Sequence, residues 1–186
     1  MMKKCIVLFV AVIVLFALSI DAEADPPVAG FYLGGGATYA WENFDDEGIN
    51  FDDAWGLNAF AGYRFIKYLA MEGNYNWYSD FESDSFNFNV DLQVWTLMLD
   101  LMPMYPLMND RLVPYVRIGG GYMDAEANAG KFDASESDFA CNLGGGFFVF
   151  ATDSLSLGLD GKYVWGTGDI DGIEYFVGTA RIAFHF

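Results

Sequence analysis

Apolar and polar residues alternate with a period of two in eight separate segments of this chain. On one side of each segment every second residue is apolar, aromatic or small, and none of these positions carries a charge. The segments are residues 31–41, 55–65, 69–77, 95–101, 116–122, 139–149, 155–165 and 176–186. Such alternation is typical of β-strands that present different faces to two environments. The sequence therefore predicts an all-β protein with eight strands.

Two further features favour a membrane over water around the uncharged face. A soluble β-sandwich also alternates, because it buries one face of each sheet. Here, however, aromatic residues gather at both ends of the uncharged face, as the two interfaces of a bilayer select. The connections also alternate between long polar segments and shorter turns. The terminal aromatic residues are Trp41, Trp55, Trp77, Trp95 and Trp165 at one end, and Phe31, Phe65 and Phe186 at the other.

Strands that cross hydrocarbon must close into a barrel, because lipid offers no hydrogen-bond partner to a free sheet edge. Eight strands make a narrow barrel whose interior can be filled by side chains. We therefore expect a transmembrane, up-and-down antiparallel β-barrel of eight strands. One irregularity lies in the fourth strand, where Val90, Leu92 and Val94 have the opposite parity to Trp95 and the residues after it. This indicates either a bulge near Val94 or a strand that projects beyond the membrane.

The first 24 residues are typical of a secretory signal peptide. Lys3 and Lys4 precede an apolar run from Cys5 to Ile20, and Ala22-Glu23-Ala24 has the small-x-small pattern of a cleavage site. The run is shorter than the roughly 20 residues of a membrane-spanning helix. We expect residues 1–24 to be a cleaved signal peptide and residues 25–186 to form the barrel.

The charge of the chain excludes nucleic acid as a partner. Its 186 residues include 26 Asp and Glu against 9 Lys and Arg, for a net charge of -17. A polyanion would be repelled by this excess. The predicted signal peptide contains two basic and two acidic residues, so its removal leaves the net charge unchanged.

Several short motifs resemble the OmpA/OmpX-type eight-stranded outer-membrane β-barrel proteins, the outer membrane protein beta-barrel domain family. They are Gly62-Tyr63-Arg64-Phe65 followed by Glu72, Pro114-Tyr115-Val116 leading to Gly119-Gly120-Gly121-Tyr122, and the terminal Phe186. The resemblance covers residues 30–186. It implies a location in the outer membrane of a Gram-negative-type bacterium, with outer-membrane lipid and lipopolysaccharide as surroundings.

The C-terminus is similar to the signal that the barrel assembly machinery reads in this family. Phe186 ends the chain and Phe184 lies two residues before it. The position that is usually glycine is Arg181, so the match is partial. The resemblance implies that the assembly machinery is a partner.

The polar face of the strands carries seven ionisable residues, which we expect in the barrel interior. Four bases against three acids favour a packed, ion-paired plug over an open pore of one sign, because buried charges need partners. We expect Glu72 to pair with Arg117, and Asp160 with Lys162 or Arg181. The alternative is a small ion path lined by these groups. The seven are Arg64, Glu72, Asp100, Arg117, Asp160, Lys162 and Arg181.

Most other acidic residues crowd the four long connections, which we expect to face outward from the cell. A solvated surface facing lipopolysaccharide is one interpretation of this acidic rim. Divalent-cation binding is the sharper alternative, since clustered carboxylates can hold Ca²⁺ or Mg²⁺, but no connection has the ordered spacing of a calcium loop. The candidate ligands are Asp45, Asp46, Glu47, Asp52, Asp53, Asp169 and Asp171.

Three glycine triplets lie inside the strand patterns, at residues 34–36, 119–121 and 144–146. No helix pattern or Gly-Lys-Ser/Thr follows them, which excludes phosphate-binding loops. We expect these glycines to make room for bulky neighbours or to let the strands curve.

Catalysis is not expected. The single histidine, His185, lies next to the C-terminus and so at the end opposite the long connections, where no outer-rim serine or aspartate could reach it. We expect a monomeric, non-enzymatic barrel without cofactor, with a structural or surface-interaction role. The alternative function is a narrow pore or a transport barrel for small hydrophobic ligands.

Overall fold

The computed structural model describes residues 29–42, 54–79, 81–82, 91–129, 132–170 and 173–186, and these consist almost wholly of β-strands. No helix among them is long and apolar enough to cross a membrane. A short 3-10 turn, Gly168–Ile170, lies between the last two strands. The strands are β1 Gly30–Glu42, β2 Ala54–Ile66, β3 Leu69–Tyr78, β4 Phe81–Glu82, β5 Asp91–Pro103, β6 Leu112–Ala129, β7 Phe132–Phe150, β8 Leu155–Gly166 and β9 Glu174–His185.

Eight of these strands form a closed ring. Strands that follow one another in the chain pair antiparallel, except β3 and β4. β3 pairs instead with β5, and β1 pairs with β9 to close the barrel. The two-residue β4 pairs with the beginning of β5 and is not a member of the ring. The prediction of an eight-stranded, up-and-down antiparallel barrel is confirmed.

The uncharged face of every predicted segment lies on the outside of the ring. In β2 more buried and more exposed residues alternate from Ala54 to Phe65, with Trp55 and Leu57 exposed and Gly56 and Asn58 buried. Paired strands keep their outward residues side by side, because a shift of one residue in the pairing register would move every side chain of a strand to the opposite face. A register shift occurs between Arg64 and Ile66 of β2, at the end of that strand.

The irregular parity in the fourth predicted strand is explained by a projecting strand. β5 pairs with β6 continuously from Asp91 to Leu101 without a register shift. Val94 points into the barrel and is buried, while its neighbour Trp95 lies on the outer face. A bulge near Val94 is therefore wrong, and the strand simply continues into the segment before Trp95. Val90 lies outside the described residues.

The barrel has a loop end, from which the long connections leave, and an opposite turn end. The turn end holds the turns between β2 and β3, between β5 and β6, and between β7 and β8. The beginning of β1 at Gly30 and the terminal Phe186 also lie there. An apolar cluster fills the interior near each end. The loop-end cluster is Ala40, Ala54, Tyr78, Val94, Met98, Met123, Ala140, Val164, Ile170, Tyr175 and Val177. The turn-end cluster is Tyr32, Phe60, Ala70, Met102, Met104, Val113, Tyr115, Phe148, Phe150 and Ala183.

Candidate functional site

Between the two apolar clusters the interior is charged. Along β3 the inward side chains run from Ala70 of the turn-end cluster through Glu72 to Tyr78 of the loop-end cluster. Six of the seven predicted interior residues lie at this middle level, and all six are buried. We call them the charged belt: Glu72, Asp100, Arg117, Asp160, Lys162 and Arg181.

Glu72 and Asp160 share two guanidinium groups. Glu72 Oε1 accepts hydrogen bonds from Arg117 Nη2 at 2.8 Å and from Arg181 Nη2 at 2.6 Å. Asp160 Oδ2 lies 3.3 Å from Arg117 Nη2 and 3.1 Å from Arg181 Nη1. Each arginine therefore contacts both carboxylates, and the four charges cancel. Such mutual geometry is what offsets the desolvation cost of buried ions.

Asp100 is held mainly by amides. Its Oδ2 accepts a hydrogen bond from Asn74 Nδ2 at 2.8 Å and its Oδ1 one from Asn142 Nδ2 at 2.7 Å. Arg117 Nη1 lies 3.4 Å from Asp100 Oδ2 and joins this carboxylate to the rest of the belt. The two asparagines were not among the predicted site residues, although their inward parity on β3 and β7 was a signal that could have identified them.

Lys162 is the exception within the belt. Its side chain is 1% exposed, yet its ammonium has no hydrogen-bond partner among the described residues. Of the two partners predicted for Asp160, the structure places Arg181 in contact and leaves Lys162 beyond ion-pair distance of the described carboxylates. Acceptor atoms Glu72 Oε2, Asn142 Oδ1 and Asp160 Oδ1 also lack a partner there.

Arg64, the seventh predicted interior residue, is separate from the belt. It is buried at the turn end of β2, where Nη2 donates a hydrogen bond to the carbonyl oxygen of Lys67 at 2.7 Å. Arg64 therefore binds the neighbouring turn and does not contact the three interior carboxylates at ion-pair distance.

Aromatic rings join the belt to the turn-end cluster. The Arg181 guanidinium lies 3.7 Å from the centroid of the Phe60 ring and 5.1 Å from that of Phe148. A cation over an aromatic face is attracted by the ring quadrupole. Tyr115 adds a polar link, because its hydroxyl accepts from Arg181 Nη1 at 2.9 Å and donates to Asp160 Oδ2 at 3.1 Å.

Inward glycines make space for these side chains. A Cβ atom at Gly119 would lie 2.0 Å from Asp100 Oδ1, and one at Gly62 would lie 2.3 Å from the Tyr32 ring. All three predicted glycine triplets lie within strands, in β1, β6 and β7. At these close approaches only a residue without a side chain fits.

A serine–histidine pair at the turn end was missed in the sequence. Ser156 Oγ lies 2.8 Å from His185 Nε2. The His185 ring stacks on Tyr32 and also packs against Phe148 and Phe150, so its surroundings are apolar. Ser156 is completely buried. Parity placed both residues inward, but only the pairing of β8 with β9 brings them together.

The proposed cation ligands fall largely outside the described residues. Asp169 lies in the turn Gly168–Ile170, but its side chain is outside the description. Among the described residues no group of three or more ligating side chains could hold a metal ion. The ligands that lie outside the described residues are Asp45, Asp46, Glu47, Asp52, Asp53 and Asp171.

The two terminal aromatic residues lie on the outer face at the turn end. The Phe184 and Phe186 rings are 5.0 Å apart, and both side chains are exposed. The backbone of Phe186 donates a hydrogen bond to the carbonyl oxygen of Phe31 at 2.9 Å, so the C-terminus is paired with the first strand. Their role as an assembly signal stays a prediction.

Solved structures share this fold. Neisserial surface protein A matches with a TM-score of 0.70 and 16% identity, over 84% of this chain and 97% of that one. The N-terminal barrel of Pseudomonas aeruginosa OprF matches with a TM-score of 0.57 and 15% identity, over 85% and 99%. Yersinia pestis Ail, in complex with the heparin analogue sucrose octasulfate, matches with a TM-score of 0.56 and 14% identity, over 85% and 97%.

The sequence family agrees with the fold. No curated protein sequence matches the chain significantly. The family model described as outer membrane protein beta-barrel domain matches residues 9–181, which is nearly the whole chain. The chain therefore belongs to the outer membrane protein beta-barrel domain family, and its uncharged outer surface faces the lipid of a Gram-negative outer membrane.

Proposed function

We propose that this protein is a closed, non-enzymatic structural barrel of the outer membrane. The observation that carries the proposal is the sharing of Glu72 Oε1 between Arg117 and Arg181 inside the lumen. These residues come from β3, β6 and β9, so their contacts cross the barrel interior. With Asp100 on β5 and Asp160 on β8, five of the eight ring strands meet in one network.

The apolar clusters support the same conclusion. A hydrated ion entering from either end would first meet buried aromatic and aliphatic side chains, such as Tyr78 and Tyr175 at the loop end or Phe148 and Phe150 at the turn end. Ile170 extends the loop-end cluster from the turn between β8 and β9 and is buried. An ion would then have to separate the pairs of the charged belt, which lie in a low-dielectric interior.

Liposome swelling tests this proposal. Vesicles that contain the refolded protein are placed in isotonic solutions of small sugars, amino acids and salts. We expect swelling no faster than that of protein-free vesicles. Swelling that is fast and depends on solute size would show an open lumen and would refute the closed barrel.

One observation favours a second candidate, the narrow pore. The Lys162 ammonium is buried within the charged belt without a hydrogen-bond partner among the described residues. An ammonium in this position could pair in turn with the belt carboxylates and with a small ion that passes through the lumen. If the pore exists, Lys162→Met should change the ratio of anion to cation permeability, whereas a closed barrel gives no permeability in either form.

The absence of catalysis is also a proposal, and the serine–histidine pair tests it. Nucleophilic catalysis needs a hydroxyl that a substrate can reach and a base that is oriented by a third group. Ser156 is completely buried, and His185 packs among aromatic rings. We expect no hydrolysis of ester or phospholipid substrates above that of a Ser156→Ala variant, and turnover that disappears in this variant would overturn the proposal.

We further propose that the protein is a monomer inserted by the barrel assembly machinery, with its acidic connections facing lipopolysaccharide. The structure of Ail carries a sulfated heparin analogue. Because the present chain has a net charge of -17, we expect its loops to repel such a polyanion. Retention on a heparin column at physiological salt would contradict this expectation.

A further inference from the structure

The outward apolar stripe is not equally long on all strands of the barrel. On β1 it runs from Phe31 to Trp41. On β5 it runs from Trp95 to Leu107 and is two residues longer, because Tyr105 and Leu107 keep the outward parity of the strand. Tyr105 is 66% exposed and Leu107 is 40% exposed. Both follow the last residue of β5, so the additional apolar surface lies at the turn end.

The longer stripe exceeds the apolar band of a barrel in a membrane. A strand residue spans about 3.4 Å, and with a tilt of roughly 40° it adds about 2.6 Å along the membrane normal. The stripe of β1 then covers roughly 26 Å, which matches an apolar band of about 25 Å. The two additional residues of β5 add about 5 Å. The hairpin between β5 and β6 therefore carries apolar side chains beyond the edge of the band.

The neighbouring turn between β2 and β3 has exposed apolar side chains at the same place. Ile66 and Tyr68 are each more than half exposed, as is Met108 near the apex of the hairpin. The turn and the hairpin are in contact, because Met104 N donates a hydrogen bond to the Tyr68 carbonyl oxygen at 2.9 Å. A continuous exposed apolar surface marks an interaction site. We call it the apolar corner, and it consists of Ile66, Tyr68, Tyr105, Leu107 and Met108.

The other side of the turn end is different. The turn between β7 and β8, residues 151–154, contains no large apolar residue. Thr152 and Asp153 in this turn are exposed, and Thr152 Oγ1 accepts a hydrogen bond from Leu155 N at 3.1 Å. The turn end therefore has an apolar side at the hairpin and a polar side at the turn between β7 and β8.

The apex of the hairpin is fixed, and its charges have partners. Lys67 Nζ lies 2.9 Å from Asp110 Oδ1, and Arg111 has interactions of its own. Met108, Asn109 and Asp110 have φ values of 53°, 55° and 66°, in the left-handed region that non-glycine residues seldom adopt. Such a conformation persists where the surrounding contacts enforce it. The apex therefore presents Met108 from a defined backbone, with paired charges beside it.

We propose that the apolar corner inserts into the periplasmic leaflet, at the level of the glycerol groups and upper acyl chains. Short turns of such barrels face the periplasm. Lipid is the partner because Tyr105 and Leu107 continue the lipid-facing surface of β5, and because tyrosine is enriched at membrane interfaces. An apolar surface that is longer than the bilayer is accommodated by tilt or by local thickening. The barrel therefore lies deeper in the membrane at the hairpin than at the turn between β7 and β8.

Nitroxide accessibility in vesicles of palmitoyl-oleoyl-phosphatidylcholine tests the proposal. Leu107→Cys, Met108→Cys and Thr152→Cys are labelled singly, in a background in which the other cysteines are alanine. Power saturation with oxygen and with a water-soluble nickel chelate gives the depth of each label. We expect the labels at positions 107 and 108 about 5–10 Å within the boundary of headgroups and acyl chains, and the label at position 152 in water.

The same nitroxide is attached at all three positions, so its own affinity for lipid cancels in the comparison. Equal access of the nickel chelate to the three labels would overturn the proposal and would leave the apolar corner free for a periplasmic protein. Equal depth of the three labels within the lipid would also overturn it, because the barrel would then be inserted evenly.

The double variant Tyr105→Ser, Leu107→Ser tests whether the apolar side chains cause the insertion. The label at position 108 should then become as accessible to the nickel chelate as the label at position 152. An unchanged depth at position 108 would contradict a role of the corner. Both substituted side chains are exposed, and a heat-dependent gel shift verifies that each variant is folded.

Discussion

Glu72 on β3 and Arg181 on β9 meet inside the barrel, with 2.6 Å between Glu72 Oε1 and Arg181 Nη2. The two residues are 109 positions apart, and their strands do not pair with each other. The same carboxylate oxygen also accepts a hydrogen bond from Arg117 on β6. Glu72 therefore connects three strands that the backbone ladder does not join directly.

Glu72→Gln should destabilise the barrel strongly. The change leaves Arg117 and Arg181 buried with a neutral amide in place of their shared carboxylate. Removing one partner of a buried pair costs about 3–5 kcal/mol of unfolding free energy. Urea unfolding in lipid vesicles, followed by tryptophan fluorescence, measures this loss.

Asp124→Asn, which removes a less buried carboxylate on β6, should change the unfolding free energy by less than about 0.5 kcal/mol. Equal effects of the two variants would show that the belt does not stabilise the fold.

Lys162→Met should be far milder. The ammonium has no hydrogen-bond partner among the described residues, and methionine fills a similar volume without a charge. Asp160 would keep both arginines, and Asp100 would keep its two asparagines. We expect an unfolding free energy equal to or above that of the wild-type barrel in the same urea experiment. A loss as large as that of Glu72→Gln would mean that Lys162 is a paired member of the belt.

Gly119→Ala tests the close approach between β6 and Asp100. The added methyl group would lie 2.0 Å from Asp100 Oδ1, so the carboxylate must move away from Asn74 and Asn142. Overpacking of this kind costs about 1–3 kcal/mol. Gly73→Ala is a matched control on the outer face, where the nearest atom to a new Cβ, Ala61 O, is 3.8 Å away. If both variants unfold at the same urea concentration, the space around Asp100 is less tightly filled than the structure indicates.

Export should remove the first 24 residues. N-terminal sequencing and intact mass of the protein from outer membranes should give a mature chain that starts at Asp25. Ala24→Phe should block processing, because the peptidase accepts only small residues before the cleavage point. A mature protein that retains Lys3 and Lys4 would contradict the prediction.

The strands and their faces could be predicted because the parity of side chains along a strand is a local property. The uncharged outer face of β2 or β9 is visible in the sequence without knowledge of its neighbours. Parity also placed Glu72, Arg117 and Arg181 in the interior. The projecting start of β5 was one of two alternatives, and only its continuous pairing with β6 decides between them.

The choice of partners inside the barrel could not be predicted in the same way. Strand tilt and stagger decide which inward side chains lie at the same height, and these depend on all eight strands together. Asp160 therefore had two candidate partners, of which Arg181 is in contact and Lys162 is not. The pairing of Ser156 with His185 was missed for the same reason, because it depends on the register of β8 against β9.

Single-channel recording in planar lipid bilayers tests the closed lumen most directly. The refolded wild-type protein should give no conductance steps above the bare bilayer at moderate voltage, because the charged belt and the two apolar clusters occupy the interior. Glu72→Gln, studied under conditions in which it is folded, should give brief openings, since Arg117 and Arg181 then share only the Asp160 carboxylate and their mutual repulsion is less well balanced. Stable conductance steps from the wild-type protein, unchanged in Glu72→Gln, would contradict a lumen closed by Glu72 and its two arginines.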